Sequence, residues 1–515
     1  MINYKKTRSL LCIRFVSLRA SLEAERKESF FKYNRWRFSK KAKGLIVFAI
    51  ITVLLVSIFA WLSTGIQGDL NIIQPIGNDP TAAPSPINQQ TPTSTPTPTP
   101  TPTPTQTPPV NSDIGQWIRP PAGGSVFDPS VLPGLIESSQ NADSDMWKAV
   151  AANAWRYFEP DIGVVPTTGL PGANTDFSAF TDWDLGAYIQ AIIDAQKIGL
   201  IGTDGAWNSS ARLEMVVSFL ETRDLNSTTN YPFWFYKSND GKNYAINSDK
   251  ASGDVDIIDT GRLFVALNNL RLFNSSLETR INDIVLYGQF NKRSNYAVLV
   301  PKIKAECLSS NSIYAYYAYS GFASFWPNEL SSAHTTILDN IFSTGNTTTE
   351  EGVWLPKAAI TSDPLLGSLF ELNNTDPRIQ TLVKQVYLAH EAYFNRANST
   401  GGIYRAFGEG QTPNNGWVWS WIVLPGGRTW VRLNSMQQEI TSPPMIYTKV
   451  ALSFLAIYNT SFAMNMSVYL EKNLPNSENG FFEGMDEAGN LVWAVGCLTN
   501  SLILDSALYA MTHNP

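Results

Sequence analysis

From residue 142 onward the sequence repeats one unit six times: an amphipathic helix, a long link, a helix apolar on every side, and a short link. The 3.6-residue periodicity predicts helices over 142–157, 181–198, 207–222, 256–271, 277–290, 311–324, 331–342, 362–372, 377–396, 444–458, 460–473 and 494–511. Odd-numbered helices carry one apolar stripe, as in "SSARLEMVVSFLETR". Even-numbered ones, such as "MIYTKVALSFLAIY" and "CLTNSLILDSALYAM", are apolar all round and so are buried on several faces. Links after even helices are short ("GLIGTDGA", "FNSS", "NNTD", almost nothing at Asn459), whereas those after odd helices span about 18 to 47 residues. Six such hairpins closing on themselves predict a mainly α protein, an (α/α)6 toroid. Its even helices line the inside, its odd helices form the outside, and short β-hairpins sit in the long loops. The Gly-aromatic stretches "GVVPTTG", "GGIYRAFGEG" and "NGFFEGMDEAGN" are the expected hairpins. Long loops on a rigid scaffold are where function usually sits.

The toroid occupies residues 113–515, and what precedes it differs in kind. Residues 1–43 hold thirteen Lys/Arg against three Glu and read as a basic cytoplasmic segment. The stretch "LIVFAIITVLLVSIFAWL" is free of charge, and about 18 helical residues rise roughly 27 Å, enough to cross a bilayer. Residues 44–64 therefore predict one transmembrane helix. Lys40, Lys41 and Lys43 precede it and no Lys or Arg follows before Arg119, so the positive-inside rule puts the N-terminus in the cytoplasm and the main domain outside the cell membrane. The competing reading is a cleaved signal peptide, which this leader length and "WLSTGIQG" suit poorly. Residues 65–112 read as an extended stalk, because proline at every second position of "TPTSTPTPTPTPTPTQTPP" forbids helix and sheet. Beyond residue 43 there are 25 Lys/Arg and 41 Asp/Glu, which argues against nucleic acid or anionic polymers as partners and suits a neutral or cationic substrate. Eight Asn-x-Ser/Thr sequons, at Asn208, Asn226, Asn274, Asn346, Asn373, Asn398, Asn459 and Asn465, permit glycosylation. Cys307 and Cys497 could pair or stay buried thiols.

Every even helix starts on the long-loop rim, so its first turn points into the mouth of the ring. Those starts include "FTDWDLGAY" and "SGDVDIIDTGRL". Capping explains one polar residue per helix. It does not require both Asp182 and Asp184, or all of Asp254, Asp256 and Asp259. Surplus carboxylates around one rim suit sugar binding or carboxylate catalysis.

The blocks "DMWKAVAANAWRYFEPDIGVVPTTGLPG", "TDWDLGAYIQAIIDAQKIGLI", "DVDIIDTGRLFVALNNLR", "SDPLLGSLFEL", "YRAFGEG" and "YTKVALSFLAIY…CLTNSLILDSALY" together resemble the domain of unknown function 3131 family, over residues 145–511. That family is similar in fold to the glycoamylase-like toroids, which include β-1,2-glucanases and the domain that cyclises β-1,2-glucan. The resemblance implies an (α/α)6 fold and a carbohydrate-active ancestry. It implies no agreed catalytic residues.

With only His334, His390 and His513, a histidine triad or histidine metal cluster is improbable, and no nucleotide loop or other cofactor motif is present. "DVDIIDTG" lacks the glycine and distal Glu of an EF-hand loop, so no metal is assigned. Paired carboxylates remain, and glycoside hydrolysis needs two of them. Glu409 matches a characteristic acid of the family and is the first candidate, or else a loop salt bridge. Asp259 and Asp184 follow, each alternatively a cap. Glu371, deeper in its helix, reads first as a buried, paired acid and second as a catalytic candidate. Asp182, Asp256, Arg262, Tyr404 and Glu439 are candidate substrate contacts, with Trp417, Trp419 and Trp421 as sugar platforms sharing one side if their segment is a strand. Asp363, next to Pro364, reads as a cap, and Asp505 as structural. The expectation is an enzyme acting on a β-glucan or envelope polysaccharide, by analogy an inverting hydrolase that needs no cofactor and has Glu409 and Asp259 as its pair. A non-catalytic glycan- or surface-protein-binding module is the alternative. A terpenoid cyclase is disfavoured by the missing D-x-D-D motif; a lyase stays open.

Overall fold

The computed structural model of the protein describes Ile136 and residues 142–513, apart from 228, 245–255, 288–295, 373–374, 399–401, 415 and 476. The basic segment, the transmembrane helix expected over 44–64, the stalk and Asp254 lie outside the described residues. Among the described residues no helix is long and apolar enough to cross a membrane.

Among the described residues a helix forms in each of the twelve predicted segments, and a thirteenth joins them. In chain order they are α1 (Ser144–Trp155), α2 (Asp182–Ile198), α3 (Ser209–Thr222), α4 (Ile257–Phe273), α5 (Glu278–Asn282), α6 (Val300–Ser309), α7 (Ile313–Phe325), α8 (Pro327–Ser343), α9 (Ser362–Phe370), α10 (Pro377–Asn398), α11 (Thr448–Tyr458), α12 (Ser461–Asn473) and α13 (Cys497–His513). The unpredicted α6 lies in the link before α7. It buries only Val300, Ile303 and Cys307, too short a stripe for periodicity to reveal. The helix expected over 277–290 is shorter, because α5 passes into a π-helical turn at Asp283–Tyr287. The helices expected from 444 and 494 start late. Their apolar leaders Met445–Tyr447 and Leu491–Val495 pair as strands instead.

The inner helices touch in the order α2, α4, α7, α9, α11, α13, and α13 returns to α2, which closes the ring. The outer helices back them: α1 on α13 and α2, α3 on α2, α8 on α7, α10 on α9, α12 on α11. Burial follows the two sequence patterns. Fifteen of the seventeen residues of α2 are buried, against seven of fourteen in α3. Close contact between α4 and α7 depends on Gly261 and Gly321, where an added Cβ would overlap the facing backbone of the other helix.

The long links carry antiparallel strands: β1 (Ala179–Phe180) with β2 (Tyr236–Lys237), and β3 (Asn346–Thr348) with β4 (Trp354–Pro356). A three-stranded sheet comprises β5 (Glu409–Gln411), β6 (Trp417–Leu424) and β7 (Arg428–Asn434). Another orders β8 (Met445–Tyr447), β9 (Phe482–Asp486) and β10 (Leu491–Val495) as β10-β9-β8. "GVVPTTG" makes only turns and two isolated bridges, from Val164 to Pro160 and to Pro171. Cys307 and Cys497 are separate, buried free thiols.

Candidate active site at the mouth of the toroid

A side chain in the first turn of a helix reaches past the helix end. The inner helices thus deliver Asp184 (α2), Asp259 (α4), Tyr314 (α7), Asp363 (α9) and Lys449 (α11) to one mouth. Thr181 and Asp184 form a capping box on α2, with Asp184 Oδ2 accepting from the Thr181 amide at 2.9 Å. Burial raises the Asp184 carboxyl to about 6, against the opposing pull of the Thr181 bonds. On α4 the cap is Asp256, exposed on the rim, whose Oδ1 accepts from the Ile258 amide at 2.8 Å. That leaves Asp259 surplus to capping. Its Oδ2 accepts from the Trp234 indole at 3.2 Å. Although part of the residue reaches solvent, its surroundings hold the carboxyl well above the usual range, through desolvation first and then the charges of Asp256 and Asp184.

Across the mouth, Glu409 on β5 is buried and accepts from the Tyr314 hydroxyl at 2.6 Å. Burial, then the neighbouring charge of Asp363, push the Glu409 carboxyl up to about 7. Glycines on either side explain "FGEG". A Cβ on Gly408 would overlap the Asp363 carboxylate, and one on Gly410 would lie 2.5 Å from Glu483 Oε2. The bare backbone lets Asp363 Oδ2 accept from the Glu409 amide at 2.8 Å and Glu483 Oε2 from the Gln411 amide at 2.6 Å. Lys449 forms a buried ion pair with Asp363. Burial pulls its ammonium down, but Asp363, Glu409 and Glu483 outweigh that and leave it raised. Glu483, buried on β9, stands at about 7, mainly from desolvation.

β6 makes the aromatic wall. Its buried and part-exposed residues alternate, so Trp417, Trp419 and Trp421 share a face, and Trp419 pairs directly opposite Glu409. The Tyr314 ring bridges Trp421 and Trp183, at centroid distances of 5.6 and 5.9 Å. The indole N–H of Trp421 is buried and has no acceptor among the described residues.

Below this mouth lies a charged floor. Glu371 caps the far end of α9, roughly 12 Å of helix beyond Asp363. Arg262 holds it from α4 with contacts of 2.7 and 2.9 Å, and the Tyr317 hydroxyl donates to Oε2 at 2.8 Å. Asp505 and Asp194 lie alongside. One cavity runs from Asp363 past Trp183 and Tyr317 to Glu371 and Asp505. Asp182 is likewise engaged, with Arg223 at 2.5 Å and Thr260 at 3.0 Å.

The mouth therefore gathers Asp184, Asp259, Glu409 and the β6 tryptophans, with Asp256 on its rim. Five other expected site residues are placed elsewhere. Arg262 and Glu371 neutralise each other in the floor, and Asp182 is consumed by Arg223. Tyr404 stacks on Phe394 at 4.4 Å, among Phe462 and Tyr469 of the outer wall. Glu439 is exposed, 3.1 Å from Arg428. Asp363, read as a cap, is an ion-pair partner instead. Glu483, Lys449 and Tyr314 were not anticipated; the signal for Glu483 was the glycine at 410 and another at 496, whose Cβ would lie 3.0 Å from Glu483 Oε1. His390 is structural: its Nε2 accepts from the Phe407 amide at 3.0 Å, and burial holds it neutral at about 3.

Similar folds are found among glycan-degrading enzymes. A candidate glucoamylase from Bacteroides caccae is 15% identical, with a TM-score of 0.48 over 72% of this chain and 94% of its own. An endo-β-1,2-glucanase from Chitinophaga pinensis, in complex with sophorotriose and glucose, is 13% identical, TM-score 0.46, over 72% and 94%. One from Talaromyces funiculosus, with sophorose, is 11% identical, TM-score 0.45, over 74% and 86%. No curated protein matches the chain. The profile of the family described as protein of unknown function (DUF3131) matches residues 149–513, the whole ring of helices from within α1 to the end of α13, and the chain belongs to that family.

Proposed function

We propose that the protein is a carbohydrate-active enzyme, a glycoside hydrolase or transglycosylase working on a neutral β-glucan or envelope polysaccharide through Asp259 and Glu409. The observation that carries this reading is a pair of environment-shifted carboxyls converging on Tyr314, beside a tryptophan wall. Asp259, whose carboxyl desolvation and the charges of Asp256 and Asp184 hold above the usual range, serves as the acid. Glu409, whose ionised form the Tyr314 hydroxyl stabilises, serves as the base. In the proposed inverting course, Asp259 gives its proton to the leaving oxygen as the glycosidic C–O bond breaks. Glu409 takes a proton from a water whose oxygen attacks the anomeric carbon. The carboxyl-rich mouth, with Lys449 engaged by Asp363, disfavours anionic polymers. The proposed location is extracytoplasmic, with residues 44–64 as the membrane anchor and the N-terminus in the cytoplasm; its support is the Lys/Arg asymmetry of the sequence alone.

A non-catalytic glycan- or surface-protein-binding module would leave its carboxylates scattered and solvated. The burial of Asp184, Glu409 and Glu483 favours the enzyme. The test is reducing-end release by the full chain from a panel of glucans, mannans and envelope polysaccharides. Asp259→Asn and Glu409→Gln should each lower the rate about 10²–10⁴-fold. Binding without turnover favours the module. Turnover that survives both substitutions together refutes the assignment.

A further inference from the structure

We propose that one proton bridges the carboxyls of Asp194 and Asp505 and locks the last inner helix of the ring to the first. The seam between α13 and α2 joins residues 313 apart in sequence. Cys497, Ser501 and Asp505, spaced by four, lie on one face of α13. The first two donate to the backbone of α2: Cys497 Sγ to Asp184 O at 3.5 Å, and Ser501 Oγ to Ala187 O at 2.8 Å. The third meets Asp194, one to two turns further along α2.

Asp194 and Asp505 are only 1% and 4% exposed. Asp194 Oδ1 accepts from Gln190 Nε2 at 2.9 Å, but Oδ2 of each residue has no donor among the described residues. Ionised carboxylates only accept. Two of them, adjacent and buried, would repel and leave two orphaned oxygens. A single proton turns one into a donor to the other and removes both penalties. In support, burial, then the charges of Glu371 and Asp194, hold Asp505 well above the usual range, and burial raises Asp194.

The groups that face the pair do not supply the missing donor, and Glu371, which also meets Asp505, only accepts when ionised. Arg262 of α4 is engaged with Glu371 of α9, as is Tyr317 of α7. Lys197, in the last turn of α2, acts on Asp194 only through its charge. α11 meets α13 through Ser453 and Ser506 at 2.8 Å, and the charged residues of α1, Asp145 and Lys148, are exposed. The bridge also positions the mouth, since α2 carries Trp183 and Asp184 at its start.

The folded chain keeps a proton that the unfolded chain releases above the ordinary Asp value, about 4. The clasp's contribution is therefore complete in acid and is lost as pH rises towards the folded value. Asp505→Asn supplies a permanent N–H donor and removes this dependence. In urea unfolding of the full chain from pH 5 to 7, the unfolding constant of the parent should rise relative to Asp505→Asn by about tenfold per pH unit. Other raised carboxyls are common to both and cancel. A protonated-carboxyl infrared band at pH 7 should be lost on substitution and so stand out in the parent-minus-variant difference, and equally with Asp194→Asn should Asp505→Asn not fold. Identical pH slopes, or an infrared band unchanged by the substitution, overturn the proposal.

Discussion

Replacing Tyr314 by Phe removes one hydroxyl from the mouth and little else, because the ring keeps its contacts with Trp183 and Trp421. The lost bond is short, 2.6 Å to Glu409 Oε2, and it favours the ionised carboxylate. Hydrogen bonds to charged groups contribute about 1.5–3 kcal/mol. A protonated carboxyl still accepts from a phenol, so only about half of that separates the two protonation states. At 1.36 kcal/mol per pH unit, the Glu409 carboxyl should rise by about one unit, from about 7 to about 8. Carbon-13 titration of glutamate-labelled protein reads this without any substrate, with Glu409→Gln identifying the resonance. Kinetically, a base must be ionised. Activity should fall as pH drops through about 7 in the parent, and this acid limb should move up with the resonance in Tyr314→Phe. A parent Glu409 titrating in the ordinary Glu range, or a variant resonance that stays or moves down, refutes the role given to this bond.

Two further predictions concern the frame of the site. Arg262→Met should cost about 3–5 kcal/mol in urea unfolding, because it strands the buried Glu371 carboxylate, whereas Arg262→Met with Glu371→Met should recover most of the loss. Gly410→Ala should cost about 1–3 kcal/mol in the same measurement, its Cβ falling 2.5 Å from Glu483 Oε2 and 2.8 Å from Tyr447 Cε1. By displacing Glu483 without removing any functional group, it should also lower turnover about 10²-fold.

The helices and their two kinds of surface were legible in the sequence because each periodic run is long and its burial follows directly from its pattern. Short apolar leaders were not: "MIY" and "LVWAV" suit a helix start or a strand equally, and only their partner in β9 decides. In the site, Asp259 and Glu409 were readable as acids beyond what capping or a turn requires, whereas Asp184 closes a capping box with Thr181. Arg262 was misjudged, and Glu371, readable as a buried, paired acid, had no partner assigned, because their partnership spans 109 residues and nothing local distinguishes a consumed charge from an available one. Lys449 was passed over for a related reason. A lone cation opening an apolar helix looks solvated until its neighbours prove to be Asp363, Glu409 and Glu483.

The ring's closure also bears on how such a chain is made. During synthesis α2 emerges early, yet the flank that α13 will cover has no partner until about 300 further residues have been translated. A partial ring therefore holds an apolar helix open to water, and contacts of such long sequence separation form slowly. The ring should become protease-resistant all at once, when α13 leaves the ribosome, rather than hairpin by hairpin.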